Sequence, residues 1–201
     1  MKDLTIKQKI SILALIISIT GVIGWLYEIL FYYMNSGFKE IYMRGPNFLP
    51  WINIYAWGSL LILITTYKFK DKPWLVFLIS LISTGLLEFF SGYILYGVIG
   101  LPREWDYNVE ILNFGNIGGY VCLRSVLVFA TAGLLLVYVI LPLLLKLVKS
   151  NHSNIIFIIS IIICSIFLLD EIYNLVIADL FNLPKAIDIY TNLGVKYMHF
   201  N

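Results

Sequence analysis

Residues 10–34 read ISILALIISITGVIGWLYEILFYYM, the first long apolar run of the chain. A transmembrane helix needs about 20 predominantly apolar residues, and this stretch exceeds that length with a single charged side chain, Glu28. The basic residues before it are typical of a signal peptide, but the apolar run is too long for one and no small-residue cleavage site follows. We therefore expect a retained transmembrane helix that carries a carboxylate.

The composition of the whole chain is that of an integral membrane protein. Of its 201 residues, 60% are hydrophobic and 13% are charged, and the mean hydropathy is +0.88. Soluble domains average about 45–50% apolar and about 25% charged residues. Because lipid offers no partner for backbone polar groups, we expect an all-α bundle that forms a single integral membrane domain over residues 1–201.

Several function classes find no support in the chain. The net charge of +2 gives no indication of nucleic-acid binding, and no P-loop pattern is present. Cys122 and Cys164 both lie in apolar runs, which is typical of small buried thiols. His152 lies in an inner loop and His199 in the tail, and neither HExxH nor GxSxG occurs. No catalytic residue, metal or cofactor is indicated.

The hydrophobic pattern predicts about five membrane spans. The second is the weakest, since it is apolar without interruption only over residues 54–65, although Pro50 suits a first helical turn. The five spans are at about residues 10–34, 48–67, 74–99, 117–144 and 155–181.

Charge bias predicts a cytoplasmic N-terminus and an outer C-terminus, because cytoplasmic loops carry an excess of lysine and arginine. The inner segments then hold the larger basic set, Lys2, Lys7, Lys9, Lys68, Lys70, Lys72, Lys146 and Lys149. The outer segments hold the smaller set, Lys39, Arg44, Arg103, Lys185 and Lys196.

Charged side chains inside the predicted spans lie at similar depth. At a rise of about 1.5 Å per residue, four of them fall in the outer half of the hydrocarbon layer, namely Glu28, Glu88, Asp170 and Arg124. The remaining acids of the spans are Glu171 and Asp179, of which Asp179 is close enough to the outer end to reach water.

Glycines place the two glutamates on packing faces. Gly21 and Gly24 share a helical face with Glu28, and Gly85 shares one with Glu88. Small residues let neighbouring helices approach closely, so these carboxylates are expected to point into the bundle.

Two interpretations of this polar layer remain open. In the structural one, Arg124 pairs with one glutamate, and tyrosine and asparagine side chains satisfy the rest. In the functional one, the layer is a polar pocket open to the outside, because one arginine cannot neutralise three or four carboxylates. A surplus of carboxylates suits a proton relay, a hard metal ion or a cationic substrate.

The predicted outer loops add candidate ligands. Trp105, Asp106 and Tyr107 combine aromatic rings with an acid, which can hold a cation, although tryptophan and tyrosine are also common in an interfacial belt. Asn113 or Asn116 is a candidate cap for the fourth span.

The loop MRGPNFLPW, residues 43–51, is expected to be tight and irregular. Its arginine, Arg44, is a candidate ligand for an anion or for a lipid phosphate.

These motifs resemble a bacterial family called Putative ABC-transporter type IV, the CmpB-like permeases. The resemblance covers roughly residues 20–145. Its first-helix pattern, Gly-Trp-x-x-Glu, corresponds to Gly24, Trp25 and Glu28. The Arg-Gly loop that runs into Pro, Ile-Tyr and Gly corresponds to Arg44, Gly45, Pro50, Ile54, Tyr55 and Gly58. Leu49, Asn53 and Ala56 replace the Gly, Pro and Gly that are usual in the family.

Three further family motifs follow in the second half of the chain. They correspond to Leu87 and Glu88, to Trp105, Asp106 and Tyr107, and to Asn116, Gly119, Val121, Cys122 and Leu123. The chain has about three extra residues before Asn116, and Tyr120 stands where the family often has a basic residue, with Arg124 one turn later.

The resemblance implies a multi-pass protein of the bacterial cytoplasmic membrane that acts as the permease part of an ATP-driven transporter. Besides the lipid bilayer, its partner would then be a separate ATPase or another membrane subunit. The short inner loops lack the Glu-Ala-Ala-type coupling loop of classical importer permeases.

Two other hypotheses remain open beside transport. One is a membrane enzyme for a lipid or cell-envelope substrate, in which Asp106, Glu28 and Glu88 supply acid–base groups or metal ligands. The other is a non-catalytic regulator or assembly factor, in which the polar layer only sets helix packing.

Overall fold

The computed structural model describes residues 3–198 and 200, and this part of the chain is helical with only isolated β-bridges. The prediction of an all-α fold is therefore confirmed. The helices are Ile6–Asn35 (α1), Asn53–Thr66 (α2), Pro73–Val98 (α3), Leu123–Val148 (α4), Ser153–Leu180 (α5) and Ala186–Asn192 (α6). A 3-10 turn, Tyr67–Phe69, follows α2.

Four of these helices, α1, α3, α4 and α5, are long and apolar enough to cross a membrane. The chain is thus a multi-pass membrane protein, as the sequence predicts. The cytoplasmic position of the N-terminus stays a prediction. Lys2, which contributes to it, and His199 both lie outside the described residues.

The helix at the second predicted span, α2, has 14 residues and is therefore about 21 Å long, which is less than the roughly 30 Å of a bilayer core. Pro50 lies before this helix, so the prediction that it occupies a first helical turn is wrong. The residues that precede α2 have neither helical nor strand structure apart from one bridge at Met43. We call residues 43–52 the irregular segment.

Local sequence explains where three helices begin. The hydroxyl of Thr5 accepts a hydrogen bond from the backbone of Gln8 at the start of α1, and Pro73 occupies the first turn of α3, where its missing N–H costs nothing. The cap of α4 is Cys122, whose sulfur accepts from the Ser125 backbone N–H. The prediction that Asn113 or Asn116 caps the fourth span is therefore wrong, since α4 begins only at Leu123.

The chain divides into two compact units, and each is described separately. Of the described residues, the first unit comprises 3–57 and Leu141–Met198. In it, α1 packs against α5 and against the last turns of α4, Leu141–Val148. The Gln8 amide near the start of α1 donates to the carbonyl of Val148, at 3.0 Å.

The second unit comprises Gly58–Ile140 together with the described residue Phe200. Here α3 packs against the first part of α4, and a Cβ atom at Gly85 would lie 2.9 Å from Val126. A Cβ atom at Gly133 would overlap the side chain of Ser80. Gly85 of α3 thus faces Val126 of α4, and the earlier Ser80 faces the later Gly133. The two helices therefore run antiparallel.

Candidate functional site

The irregular segment runs along α1 as far as the middle of that helix. The backbone N–H of Ile52 donates to the carbonyl of Gly21, at 3.2 Å, and the indole N–H of Trp51 donates to the carbonyl of Ile17, at 3.3 Å. Trp51 is fully buried and its ring stacks on Phe167 of α5. Non-helical backbone therefore reaches the depth of the centre of a membrane-spanning helix.

Two glycines of α1 make this close approach possible. A Cβ atom at Gly21 would overlap the indole of Trp51, and one at Gly24 would overlap the ring of Tyr55. The small-residue face predicted for the first helix is therefore a packing face. Its neighbours are the irregular segment and the first turn of α2.

Glu28 of α1, which is half-buried, forms an ion pair with the buried Arg44 of the irregular segment. The Nε atom of Arg44 lies 2.8 Å from a carboxylate oxygen of Glu28, and the two side chains are 6% and 15% exposed. The guanidinium also lies 4.0 Å from the centroid of the Tyr32 ring. Arg44, predicted as a ligand for an anion or a lipid phosphate, is thus engaged by α1.

Asp170 of α5 binds the backbone of the irregular segment. One carboxylate oxygen accepts from the N–H of Phe48, at 3.0 Å, and the other accepts from the N–H of Leu49, at 2.8 Å. The amide of Asn174 donates to the first oxygen as well, at 2.9 Å. Asp170 therefore satisfies two backbone groups that have no helical partner.

Two further side chains hold the segment and the helix that follows it. The neighbouring acid, Glu171, accepts from the side-chain amide of Asn53, the first residue of α2, at 3.0 Å. The hydroxyl of Tyr190, in α6, donates to the carbonyl of Phe48, at 3.0 Å. In the first unit, the acidic side chains predicted for the polar layer thus bind the irregular segment or the start of α2.

In the second unit, Glu88 of α3 is bound by two hydroxyl groups. Its side chain is buried, at 4% exposed. One oxygen accepts from the hydroxyl of Tyr107, in the loop before α4, and the other accepts from the hydroxyl of Ser125, at 2.6 Å. This glutamate therefore connects three consecutive parts of the unit.

Arg124 pairs with a carboxylate that the sequence interpretation did not consider. Its guanidinium lies 2.7 Å from a carboxylate oxygen of Glu110 and donates to the carbonyl of Ile111, at 3.3 Å. It also lies 5.2 Å from the centroid of the Tyr107 ring. The expected partner, a glutamate inside a span, is replaced by a glutamate of the adjoining loop.

The predicted cation-binding triplet is also engaged within the loop. Asp106 pairs with Arg103, at 3.0 Å, and accepts from the backbone N–H of Asn108, at 2.9 Å. The indole N–H of Trp105 donates to the carbonyl of Tyr120, at 3.0 Å. These contacts fold the loop, and cation binding by the triplet stays a prediction.

Asn116 organises this loop instead of capping a helix. Its amide donates to the side chain of Asn108, at 2.9 Å, and its oxygen accepts from the N–H of Gly119, at 2.8 Å. Gly119 has a φ of +78°, which favours glycine, and a Cβ atom there would overlap the Asp106 carboxylate. The spacing of the Asn116 and Gly119 motif is explained by this turn.

Among residues 3–198 and 200, no group of three or more His, Cys, Asp or Glu side chains is placed so that it could hold a metal ion. Cys122 and Cys164 are buried free thiols.

Comparison with known proteins gives one result. A family model described as Putative ABC-transporter type IV matches residues 15–175. No curated protein and no solved structure matches the chain. The matched range includes the irregular segment, the loop before α4, and the side chains Glu28, Asp170 and Glu88 that bind them.

Proposed function

The chain belongs to the Putative ABC-transporter type IV family, and from this premise we propose that it is the permease-like membrane subunit of a transporter. It is a multi-pass membrane protein by its four long apolar helices. The finer proposal is that the substrate passes beside the irregular segment, through an acidic pocket that opens outward.

The interrupted second span is the observation that carries this proposal. Non-helical backbone at membrane depth is tolerated where protein buries it or where it lines a water-filled cavity. Transporters commonly form their substrate sites from such discontinuous helices near the middle of the bilayer. The hydrogen bond from Ile52 to Gly21 is at this depth of α1.

The proposed pocket lies in the first unit, where charged groups border the irregular segment. Glu28 and Arg44 hold one end of the segment, and Asp170 holds its middle. Glu28 follows Gly21 in α1 and lies about 10 Å from it along the helix axis, at a rise of about 1.5 Å per residue. In this proposal the carboxylates fix the shape of the pathway, and Glu28, which keeps 15% of its side-chain exposure, is the acid best placed to meet a substrate.

An energy source must come from another chain under this proposal. The 201 residues contain no P-loop, so ATP hydrolysis would be supplied by a separate ATPase. We expect that partner to contact the basic inner loops, which hold Lys68, Lys70 and Lys72.

The proposal is tested by comparing the small molecules inside cells that produce the wild-type protein, Glu28→Gln or Asp179→Asn. Asp179 is the matched control, since it is an acid of the same chain that is 62% exposed and pairs with Lys185. We expect wild type and Asp179→Asn to change the cellular level of the same solute, and Glu28→Gln to lose that change although equal amounts of protein reach the membrane.

Equal solute levels in all strains, with and without the protein, would contradict a transport role. Conversion of a lipid or envelope compound by the purified chain without any ATPase would instead support the membrane-enzyme hypothesis. If a cell that depends on the protein grew normally with Glu28→Gln, this result would instead support a non-catalytic regulator or assembly factor.

A further inference from the structure

Glu88 is a buried acid with hydroxyl partners on both oxygens. The hydroxyl of Tyr107 donates to Oε1, and Ser125 Oγ lies 2.6 Å from Oε2. Within the part of the chain that the structure describes, no salt bridge to Glu88 is formed. Ionisable side chains within membrane-spanning helices are costly, and proton relays are among the functional sites that they mark.

Ser125 has a second acceptor within reach of its single hydroxyl hydrogen. Its Oγ lies 2.8 Å from the carbonyl oxygen of Cys122, and it accepts from the backbone N–H of Cys122, at 3.3 Å. A hydroxyl group carries one hydrogen and two lone pairs. The Ser125 hydroxyl can therefore donate either to Glu88 or to Cys122, but not fully to both.

This geometry satisfies Glu88 in two protonation states. When Glu88 is ionised, Ser125 donates to Oε2 and Tyr107 donates to Oε1. When a proton from water adds to Oε2, the new carboxyl O–H donates to Ser125 Oγ, and the Ser125 hydrogen turns to the carbonyl of Cys122. Tyr107 donates to Oε1 in both states, so each hydrogen and each acceptor keeps a partner.

We propose that Glu88 is a reversible proton-binding site, with Ser125 as the hydroxyl that reverses its hydrogen bond when the proton binds. The proposal goes beyond the transport role and does not rest on it. A proton is the ligand because both carboxyl oxygens of Glu88 already have a hydroxyl group at hydrogen-bond distance. To accept a proton on Oε2, the site needs only the Ser125 hydrogen to turn from Glu88 to the carbonyl of Cys122.

The other charged and titratable groups near Glu88 come from the loop before α4 and from the start of α4. Arg124 and Glu110 pair with each other, at 2.7 Å. Cys122, the cap of α4, contributes a thiol beside Ser125. Protonation of Glu88 therefore changes the charge of this region by one unit while the ion pair between Arg124 and Glu110 stays in place.

Infrared difference spectroscopy of the full chain in lipid vesicles tests the proposal directly. Spectra recorded between alkaline and acidic buffer should show the carbonyl stretch of a buried protonated carboxyl, with the shift in D₂O that an exchangeable O–H requires. We expect Glu88→Gln to lose this band, and we expect the control Glu110→Gln, in the loop before α4, to keep it.

Ser125→Ala gives a second test that keeps the acid itself. It removes the acceptor for the carboxyl O–H, so the band should remain and move in frequency. The proposal is overturned if the wild-type protein shows no titrating carboxyl band, if the band persists unchanged in Glu88→Gln, or if Ser125→Ala leaves its frequency unchanged. Should Glu88→Gln not fold, the frequency in Ser125→Ala decides the matter.

Discussion

Carboxylates of the membrane-spanning helices differ in the type of group that donates to them. Glu28 is bound by a cation, Asp170 by backbone N–H groups and Glu88 by hydroxyl groups. Each type has a different consequence when the charge is removed. In the ion pair, both partners are charged side chains, so the two charges can be removed together.

We expect Arg44→Met to destabilise the protein by about 3–5 kcal/mol, because it leaves the half-buried carboxylate of Glu28 without its cation. The double variant Glu28→Leu, Arg44→Met should recover most of this loss, since neither charge remains to be left without its partner. Thermal unfolding in detergent measures both. Lys185→Met, which breaks an exposed pair with Asp179, is the control and should cost about 0–1 kcal/mol.

A double variant that is no more stable than Arg44→Met would show that the loss of stability does not come from breaking this ion pair.

The partners of these charged side chains were only partly predictable from the sequence. Only charges inside the predicted spans were expected to pair, so Arg44, in a loop, was assigned to an external anion instead of Glu28, and Arg124 was assigned to a glutamate of a span instead of Glu110. Backbone donors such as the N–H of Leu49 have no sequence signal at all, because every residue except proline carries one.

At the scale of elements, the face of α1 determines whether the irregular segment can approach. Gly21 and Gly24 leave room for the rings of Trp51 and Tyr55, and a methyl group at either glycine would overlap those rings. Gly58 of α2 differs, since a Cβ atom there would lie 3.8 Å from Phe129, an ordinary van der Waals distance.

We therefore expect Gly21→Ala and Gly24→Ala each to destabilise the protein by about 1–3 kcal/mol through overpacking. Gly58→Ala should be neutral or stabilising by up to about 1 kcal/mol, because alanine has the higher helix propensity. Unfolding measured in one detergent compares the three. If all three variants behave alike, the close approach of the irregular segment to α1 is not what these glycines provide.

The elements themselves were largely predictable, and the exception has a physical cause. Hydropathy identifies the long helices because an apolar run of sufficient length can do little else in lipid. The stretch 48–67 is apolar enough to resemble a span, but hydropathy carries no information on backbone conformation. Its first part is irregular because Asp170 and the carbonyl of Gly21 supply the hydrogen bonds that a helix would otherwise make, and those partners are distant in sequence.

At the scale of the whole molecule, a C-terminal stretch beyond the family match is attached to the irregular segment within the first unit. The N–H of Met43 donates to the carbonyl of Lys196, at 2.8 Å, and the ammonium of Lys196 lies 2.9 Å from the carboxylate of Glu40. Burial raises the pKa of the neighbouring Tyr197 to about 12, so that residue stays neutral under physiological conditions.

We expect this attachment to weaken in acid. The hydrogen bonds from Lys196 and from Tyr42 lower the pKa of Glu40, and the hydrogen bond to Glu40 raises the pKa of Lys196. A carboxyl with a lowered pKa stabilises above its unfolded pKa, and this contribution is lost as pH falls through the lowered value. A lysine with a raised pKa stabilises below its unfolded pKa and loses the contribution as pH rises through the raised value.

Hydrogen exchange of residues 195–198 should therefore be slowest between those limits and faster in acid, after correction for the intrinsic effect of pH. High salt should reduce the difference, because both side chains are exposed. Lys196→Gln should exchange at a corrected rate that no longer changes in the acidic range. A wild-type rate without this acid dependence would show that the pair with Glu40 does not hold the stretch.

In this protein, non-helical backbone lies at membrane depth because a carboxylate of α5 binds its N–H groups. Hydrogen–deuterium exchange of the amides of Phe48 and Leu49, in lipid, tests this most directly when wild type is compared with Asp170→Asn and with the exposed control Asp179→Asn. We predict slow exchange of both amides in wild type and in the control, and fast exchange in Asp170→Asn. Fast exchange in wild type, or equal protection in all three proteins, would contradict the claim.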